Sequence, residues 1–455
     1  MTGRRVFYYA FSATGAYPAS FSTPGDWTLI GEKDFRSSLK RIRRAVFPAE
    51  KTPEWADDLL RIARAAYLVD KRSTRPRGRD PWAREINLWV QITDKDRWQG
   101  QPLSILNSML RSLTSDIWNV TVEGCAPPID IQPRLDTYKA ASEITLFSGG
   151  LDSAAYAAQQ ACTPGGMLLL IGHDSAGAHE PQQRLSEAIK RLDSKQRTVE
   201  YRPVGDSPYK KARPEFSTRS RGFLFAATAV YAAAAHGISH AMMPENGQLA
   251  INPPLTPARL AACSTRSVHP WIVDQLNQLI LAVRGDVVLY NPFLYLTKGE
   301  VCAVASDNGL SPADLARTVS CGNHSVHRLG GNCGYCYPCL IRRSGIYAAL
   351  GEDPTDYEHG LQTLTTREKV QHLRDLQRWL SREFTSRSLI ADMPLPRHVS
   401  LRNVLSTLTR GRVEIAQMLY QHRQWTELYG NPMFSPRPIR AGRPDLSSRV
   451  TEAGL

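Results

Sequence analysis

The chain has 455 residues, 42% hydrophobic and 22% charged, with 56 Lys+Arg against 43 Asp+Glu for a formal charge of +13. That length predicts two to four domains with ample core, and no apolar run approaches the roughly 20 residues that span a bilayer. The charge suits ATP, phosphate-bearing substrates, nucleic acid or an acidic protein partner, and selects none of them.

Residues 1–140 read as an N-terminal α+β domain. The opening stretch, two arginines before a short aromatic run, reads as a first strand rather than a signal peptide, so a cytoplasmic protein is expected. Trp55, Leu59, Ile62, Ala63 and Ala66 recur at helical spacing. A basic turn-rich loop runs from Arg72 to Arg79, with Pro76 and Gly78. Residues 86–92 alternate as a strand, 103–113 are helical, and 117–122 form another strand. This part shows no catalytic motif.

Residues 141–345 change character. Short β runs near 144–147, 167–171, 198–203, 240–243 and 287–290 alternate with helical stretches from Asp152, from Pro181 to Leu192 and from Arg221 to His236. Such alternation predicts an α/β core, a parallel sheet with helices on both faces. Thr297 and Glu300 form a capping box, which puts Lys298 in the first turn of a helix. Ser311, Pro312 and Asp314 mark another helix start. Residues 346–433 read as a helical extension, with Val370, Leu373, Leu376, Trp379 and Leu380 on one stripe and Val404, Leu408, Ile415, Met418 and Leu419 on another. Residues 434–455, rich in Pro and Gly, read as a flexible tail.

The chemistry centres on Phe147-Ser148-Gly149-Gly150-Leu151-Asp152-Ser153, between a strand and a helix. Two glycines let the backbone approach a polyphosphate. The two serines add hydroxyl donors, and the helix start adds free N–H groups with a positive dipole end. A Walker A loop would place a Lys after its second glycine, and this one does not. The Asp152 carboxylate suits Mg²⁺ beside phosphate oxygens.

Eight cysteines divide into four scattered (Cys125, Cys162, Cys263, Cys302) and four clustered (Cys321, Cys333, Cys336, Cys339). The cluster reads Cys-x11-Cys-x2-Cys-x2-Cys, which suits tetrahedral Zn²⁺. An iron–sulfur cluster also takes four cysteines, and a disulfide framework is disfavoured in a cytosolic chain. His324 and His327 lie in the intervening loop and read as polar loop residues beside a complete cysteine set.

SGGLDS resembles the signature of the PP-loop ATP pyrophosphatases, with their adenine nucleotide alpha hydrolase-like sheet. Together with Ser320-Cys321, Cys333-Gly334-Tyr335-Cys336-Tyr337-Pro338-Cys339 and the following Arg342-Arg343, it resembles the 7-cyano-7-deazaguanine synthases, the QueC family. The resemblance implies an AMP-forming C–N ligase that uses ATP, Mg²⁺ and Zn²⁺. Such an enzyme adenylates a 7-deazaguanine carboxylate for attack by an amine, and a second ATP dehydrates the amide to a nitrile. It implies Ser148, Asp152, Ser153 and Lys298 as the catalytic set. Residues Phe147, Ser148, Gly149, Gly150, Leu151, Asp152 and Ser153, with Arg221, would hold the nucleotide, and the four clustered cysteines the metal. Gly222 stands where the family has Asn, Lys298 and Glu300 match a family L-x-K-x-E segment, and His179 and Glu180 fall in the family's His-bearing loop.

The resemblance covers about 144–345. The chain adds long segments on either side and polar loops beyond a predicted strand end, where open α/β sheets bind ligands. Those loops carry Glu245, Asn252, Arg259, Arg266 and His269. The extended layout is similar to QueC-like proteins of bacterial anti-phage systems of the Qat type. That likeness implies protein partners from one defence operon and a protein amine as nucleophile, giving a deazaguanine–protein conjugate. Two other readings stand beside it: a tRNA-modifying PP-loop enzyme, and a defence scaffold that binds nucleotide without turnover.

Overall fold

The computed structural model describes residues 5–17, 26–46, 52–75, 83–124, 126–127, 140–173, 179–192, 197–205, 207–209, 215, 219–255, 266–322, 331–364, 366–390 and 393–422. Residues 76–79 of the basic loop, Cys125, Cys263, Arg259, His324, His327 and the tail 434–455 lie outside the described residues.

The N-terminal part runs β1 (Val6–Ser12), β2 (Thr28–Gly31), α1 (Leu39–Val46), α2 (Glu54–Arg72), β3 (Glu85–Gln91), α3 (Gln101–Thr114) and β4 (Ile117–Glu123). Its sheet has the order β2-β1-β3-β4 and is parallel throughout. This corrects the α+β expectation for residues 1–140: the part is α/β, because α2 and α3 are crossovers within a wholly parallel sheet. Phe11, Ile86, Leu88, Val90, Trp118 and Val120 form one buried cluster with both helices.

The core continues through β5 (Ala141–Leu146), α4 (Leu151–Ala161), β6 (Met167–His173), α5 (His179–Lys190), β7 (Val199–Val204), α6 (Arg221–Ala235), β8 (His240–Met242), α7 (Gly247–Ile251), α8 (Pro270–Ala282), β9 (Val288–Tyr290), α9 (Lys298–Asp307) and α10 (Pro312–Arg317). Its five strands are parallel in the order β7-β6-β5-β8-β9. The chain builds outward from β5 to β7, then crosses to β8 on the other side. That reversal opens a crevice at the carboxyl ends of β5 and β8.

Helices cover both faces of this sheet. Phe147, Leu151, Leu168, Leu170, Leu185 and Val301 form the cluster under α4, α5 and α9. The opposite face carries α6 and α8, which pack against α2 and α3, so one apolar cluster runs from Phe11 through Ala227 to Leu289. Small side chains make this close packing feasible, since Ala226, Ala227, Ala229, Ala232 and Ala233 are all buried on α6. Helix α2 is buried along nearly its whole length, charged residues included. Its buried charges find partners in part: Asp58 accepts from the N–H of Thr93 at 2.8 Å and of Asp94 at 3.0 Å, and Arg64 pairs with Glu32 at 3.1 Å.

The chain closes with α11 (Tyr337–Leu350), α12 (Arg367–Leu380), α13 (Ser386–Ile390) and α14 (Leu401–Gln421). Both expected stripes are inward. Leu373, Leu376, Trp379 and Leu380 are buried with Ile415, Met418 and Leu419, and Val370 is half-buried. No helix among the described residues is long and apolar enough to cross a membrane.

Candidate functional site

The turn from β5 into α4 is held from two sides. Gly149 has φ +75°, and a Cβ on it would lie 2.9 Å from Gln182 Cγ, so both conformation and space demand glycine. Gln182 gave no signal in the sequence. Its Nε2 donates to the carbonyls of Ser148 (3.1 Å) and His173 (3.4 Å), and its Oε1 accepts from the Tyr201 hydroxyl at 2.8 Å. From the other side, Val319 N donates to Gly149 O at 3.0 Å. Ser148 Oγ accepts from Gly150 N at 3.2 Å, and Ser153 Oγ donates to Gly150 O at 3.0 Å. Gly150 has no side chain to cap α4, so the cap residue leaves the first N–H groups of the helix unmet. Phe147 and Leu151 are core residues; only their backbone is available to a nucleotide.

Asp152, in the first turn of α4, meets Lys298, in the first turn of α9, at 2.5 Å. Lys298 is 0% exposed and Asp152 6%, so the lysine does not face solvent. The expected capping box sets this up, with Thr297 and Glu300 capping each other. Gln248 Oε1 takes the Lys298 backbone N–H at 2.8 Å.

The loop after β8 completes the cluster. Asn246 Nδ2 bridges Asp152 (3.3 and 3.4 Å) and Glu245 Oε1 (3.0 Å). Asn291 clamps the Glu245 backbone, accepting from its N–H at 3.0 Å and donating to its carbonyl at 2.8 Å. Burial and the neighbouring Asp152 charge push the Glu245 carboxyl well above the usual carboxylate range, against the pull of Lys298. Two ionised carboxylates beside one ammonium would leave a net negative charge, so the cluster keeps a proton on Glu245 that a divalent cation would displace. The donor set fits Mg²⁺, which takes one or two carboxylates and fills its other positions with phosphate oxygens and water.

Helix α14 braces this arrangement. Glu414 accepts from Gly299 N at 3.1 Å and from the Thr297 hydroxyl. Arg410 pairs with Glu300 at 2.7 Å. Burial lifts the Glu414 carboxyl to about 8.

The four clustered cysteines converge, their sulfurs all within 4.8 Å of one another. The Cys321–Cys336 and Cys333–Cys339 sulfurs are 3.9 and 3.8 Å apart. A tetrahedral zinc with Zn–S of about 2.3 Å needs sulfurs about 3.8 Å apart, so the residues fit the ion. Four thiols this close cannot all ionise without a cation. Arg342 and Arg343 support the segment. Arg342 is fully buried and donates to Thr318 and to the Leu315 carbonyl. Arg343 Nε donates to Gly334 O at 3.0 Å. Asn332 ties the segment to the glycine loop: its Oδ1 accepts from Ser320 N at 3.0 Å, and Ser320 Oγ faces Leu151 N at 3.5 Å.

Other expected positions divide. Arg221 is exposed at the start of α6, 5.7 Å from the Phe225 ring centroid; its described contacts run there and not to the phosphate loop. At Gly222 a Cβ would sit 2.0 Å from Ser267 Cβ, so the crossing of Ser267 calls for glycine there. His179 and Glu180 are exposed at the start of α5. Among the insertion residues, Glu245 joins the site. Asn252 ends α7, Arg266 donates to the Ser112 carbonyl, and His269 caps α8. Burial pulls the His269 imidazole down to about 3, as a neutral capping acceptor requires.

No family model matches the chain. It is 38% identical over 76 residues to the 7-cyano-7-deazaguanine synthase of Ralstonia nicotianae, covering 16% of this chain and 32% of that one. It is 39% identical over 72 residues to that of Desulfitobacterium hafniense, 16% and 28% of the two chains. With that of Rhizobium rhizogenes it shares 31% over 93 residues, 20% and 36%. The chain thus spans about a third of the length of the curated relatives it matches. Its similarity is to 7-cyano-7-deazaguanine synthases, over a minor part of its own length.

Proposed function

We propose that the chain is a QueC-like, ATP-dependent ligase that activates a 7-deazaguanine carboxylate. One observation carries the reading: a glycine phosphate loop joined, through Asp152, to the buried Lys298–Asn246–Glu245 cluster at the switch point of a parallel sheet. The substrate carboxylate oxygen attacks the α-phosphorus of ATP, the bond to the bridging oxygen breaks, and pyrophosphate leaves. An amine then attacks the acyl carbon and AMP departs. The backbone of residues 148–151 and the hydroxyls of Ser148 and Ser153 bind the phosphates. Lys298 holds Asp152 in place beside them. Mg²⁺, when held by Asp152 and Glu245, would supply electrostatic stabilisation of the leaving pyrophosphate. Zinc in the cysteine segment would act structurally, fixing residues 319–320 against the loop. Arg221 completes the proposed nucleotide set.

The nucleophile is ammonia, leading to amide and nitrile, or a protein amine of an operon partner in anti-phage defence. The surplus segments outside 144–345 support the second. Incubation with ATP, the deazaguanine acid and candidate partners separates them by mass. Pyrophosphate release should depend on the acid and vanish in Asp152→Ala. Release that ignores the acid, or survives that substitution, overturns the reading.

A further inference from the structure

The crevice has a second wall, of which the reaction above uses only Arg221. At the carboxyl end of β6 the His173 ring stacks on Phe225, with centroids 3.8 Å apart. His173 Nε2 is closed to solvent and has no hydrogen-bond partner among the described residues. A buried polar atom left this way calls for a ligand or a water. Burial, with the Arg221 charge second, pulls the imidazole down to about 3, so it is neutral. Gln182 bonds the carbonyls of both His173 and Ser148, so this wall adjoins the phosphate loop.

One cation stands over it, and a second, from the N-terminal part, lies beside the start of α6. Arg221 opens α6 and lies over Phe225. Lys71 comes from the end of α2. Its Nζ donates to Glu215 O at 3.3 Å, and Glu215 N returns a bond to Lys71 O at 2.9 Å. The adjacent Asp70 accepts from Arg219 N, Ser220 N and the Ser220 hydroxyl at 2.9, 3.0 and 2.8 Å. That fixes the start of α6 against the end of α2. Burial and then the Arg221 charge hold the Lys71 ammonium below its usual range. Two nearby carboxylates, Asp70 and Glu215, oppose that shift, and each holds a further partner: Asp70 pairs with Arg84 at 2.6 Å, and Glu215 accepts from Arg75 N at 2.8 Å.

A flat aromatic stack, an unmet ring nitrogen and two neighbouring cations suit a planar heteroaromatic ring bearing an anionic group. We propose that Lys71, Arg221, His173 and Phe225 form a subsite for such a ligand, so that the N-terminal part supplies one wall of the core's binding crevice. The ligand's identity rests on the proposed function: it is either the nucleotide or the deazaguanine acid.

Calorimetry on the intact chain with two probes tests this, α,β-methylene-ATP and 7-carboxy-7-deazaguanine. Lys71→Met and Arg221→Met should each weaken one probe by about tenfold, the scale of one charge-assisted bond. The probe that weakens identifies the occupant. Lys71→Arg should restore affinity, and Lys190→Ala should change nothing. A thermal melt excludes unfolded variants. Folded Lys71→Met that binds both probes within twofold of the unaltered chain overturns the subsite, as does failure of both probes to bind the unaltered chain. If the ATP analogue weakens while no acid triggers pyrophosphate release, the subsite stands and the proposed reaction falls. If release proceeds and Lys71→Met binds normally, the reverse holds.

Discussion

Lys298 and Asp152 form a buried ion pair. Removing one member of such a pair leaves the other charge uncompensated and costs about 3–5 kcal/mol. Lys298→Met should therefore destabilise the chain by about 3 kcal/mol in urea denaturation. The double variant with Asp152→Asn should recover part of that loss, because no lone charge remains. Glu414 yields a pH effect. Its folded carboxyl titrates near 8, against 4.5 as the ordinary value. The folded state therefore keeps a proton that the unfolded state has lost between those values. Its contribution is complete below about pH 4.5 and fades as pH rises through 8. Glu300 and Arg410 are the charges beside it. Glu414→Gln should flatten the fall in stability between pH 5 and 8, measured by denaturation across that range. The sequence exposed Asp152 and Lys298 through local motifs, a glycine turn and a capping box. It could not expose Gln182, Asn246 or Glu414, ordinary polar residues whose roles come from partners far along the chain.

At the scale of elements, the cysteine segment and the glycine loop before α4 behave as one assembly. Val319 N bonds Gly149 O, and Ser320 is held by Asn332 just before Cys333. Metal loss should then reach the proposed nucleotide site. Cys339→Ser, or chelation, should remove the bound zinc by elemental analysis, lower Tm by several degrees, and weaken binding of an ATP analogue. Unchanged nucleotide affinity in the zinc-free chain would break this link. The strands and helices of the core were legible because alternating β and helical periods admit few arrangements. The insertion after β8 was harder. Its polar residues all suited a ligand on paper, yet Arg266 and His269 serve backbone carbonyls and helix ends.

At the scale of the molecule, two parallel sheets stand back to back with α2, α3, α6 and α8 between them. A reading in consecutive segments treats residues 1–140 as an attachment. The apolar cluster does not stop at residue 140, and Asp70 caps a helix of the core. Periodicity shows that a face is apolar but not which other face covers it. Deleting residues 1–140 would uncover the apolar faces of α6 and α8 and unpair Ser220 from Asp70. The truncated chain should aggregate on expression, whereas the intact one should melt in a single transition by calorimetry.

The brace that α14 gives to α9 also bears on when activity arises. Glu414 and Arg410 reach back to residues 297–300, and α14 is the last described helix. During synthesis the loop at 147–153 leaves the ribosome long before its brace, and domains fold as units while the chain emerges. A nascent chain halted before α14 would carry the whole nucleotide motif without the support that fixes Lys298. On the proposed reaction, ribosome-bound intermediates would therefore be idle toward ATP until α14 docks.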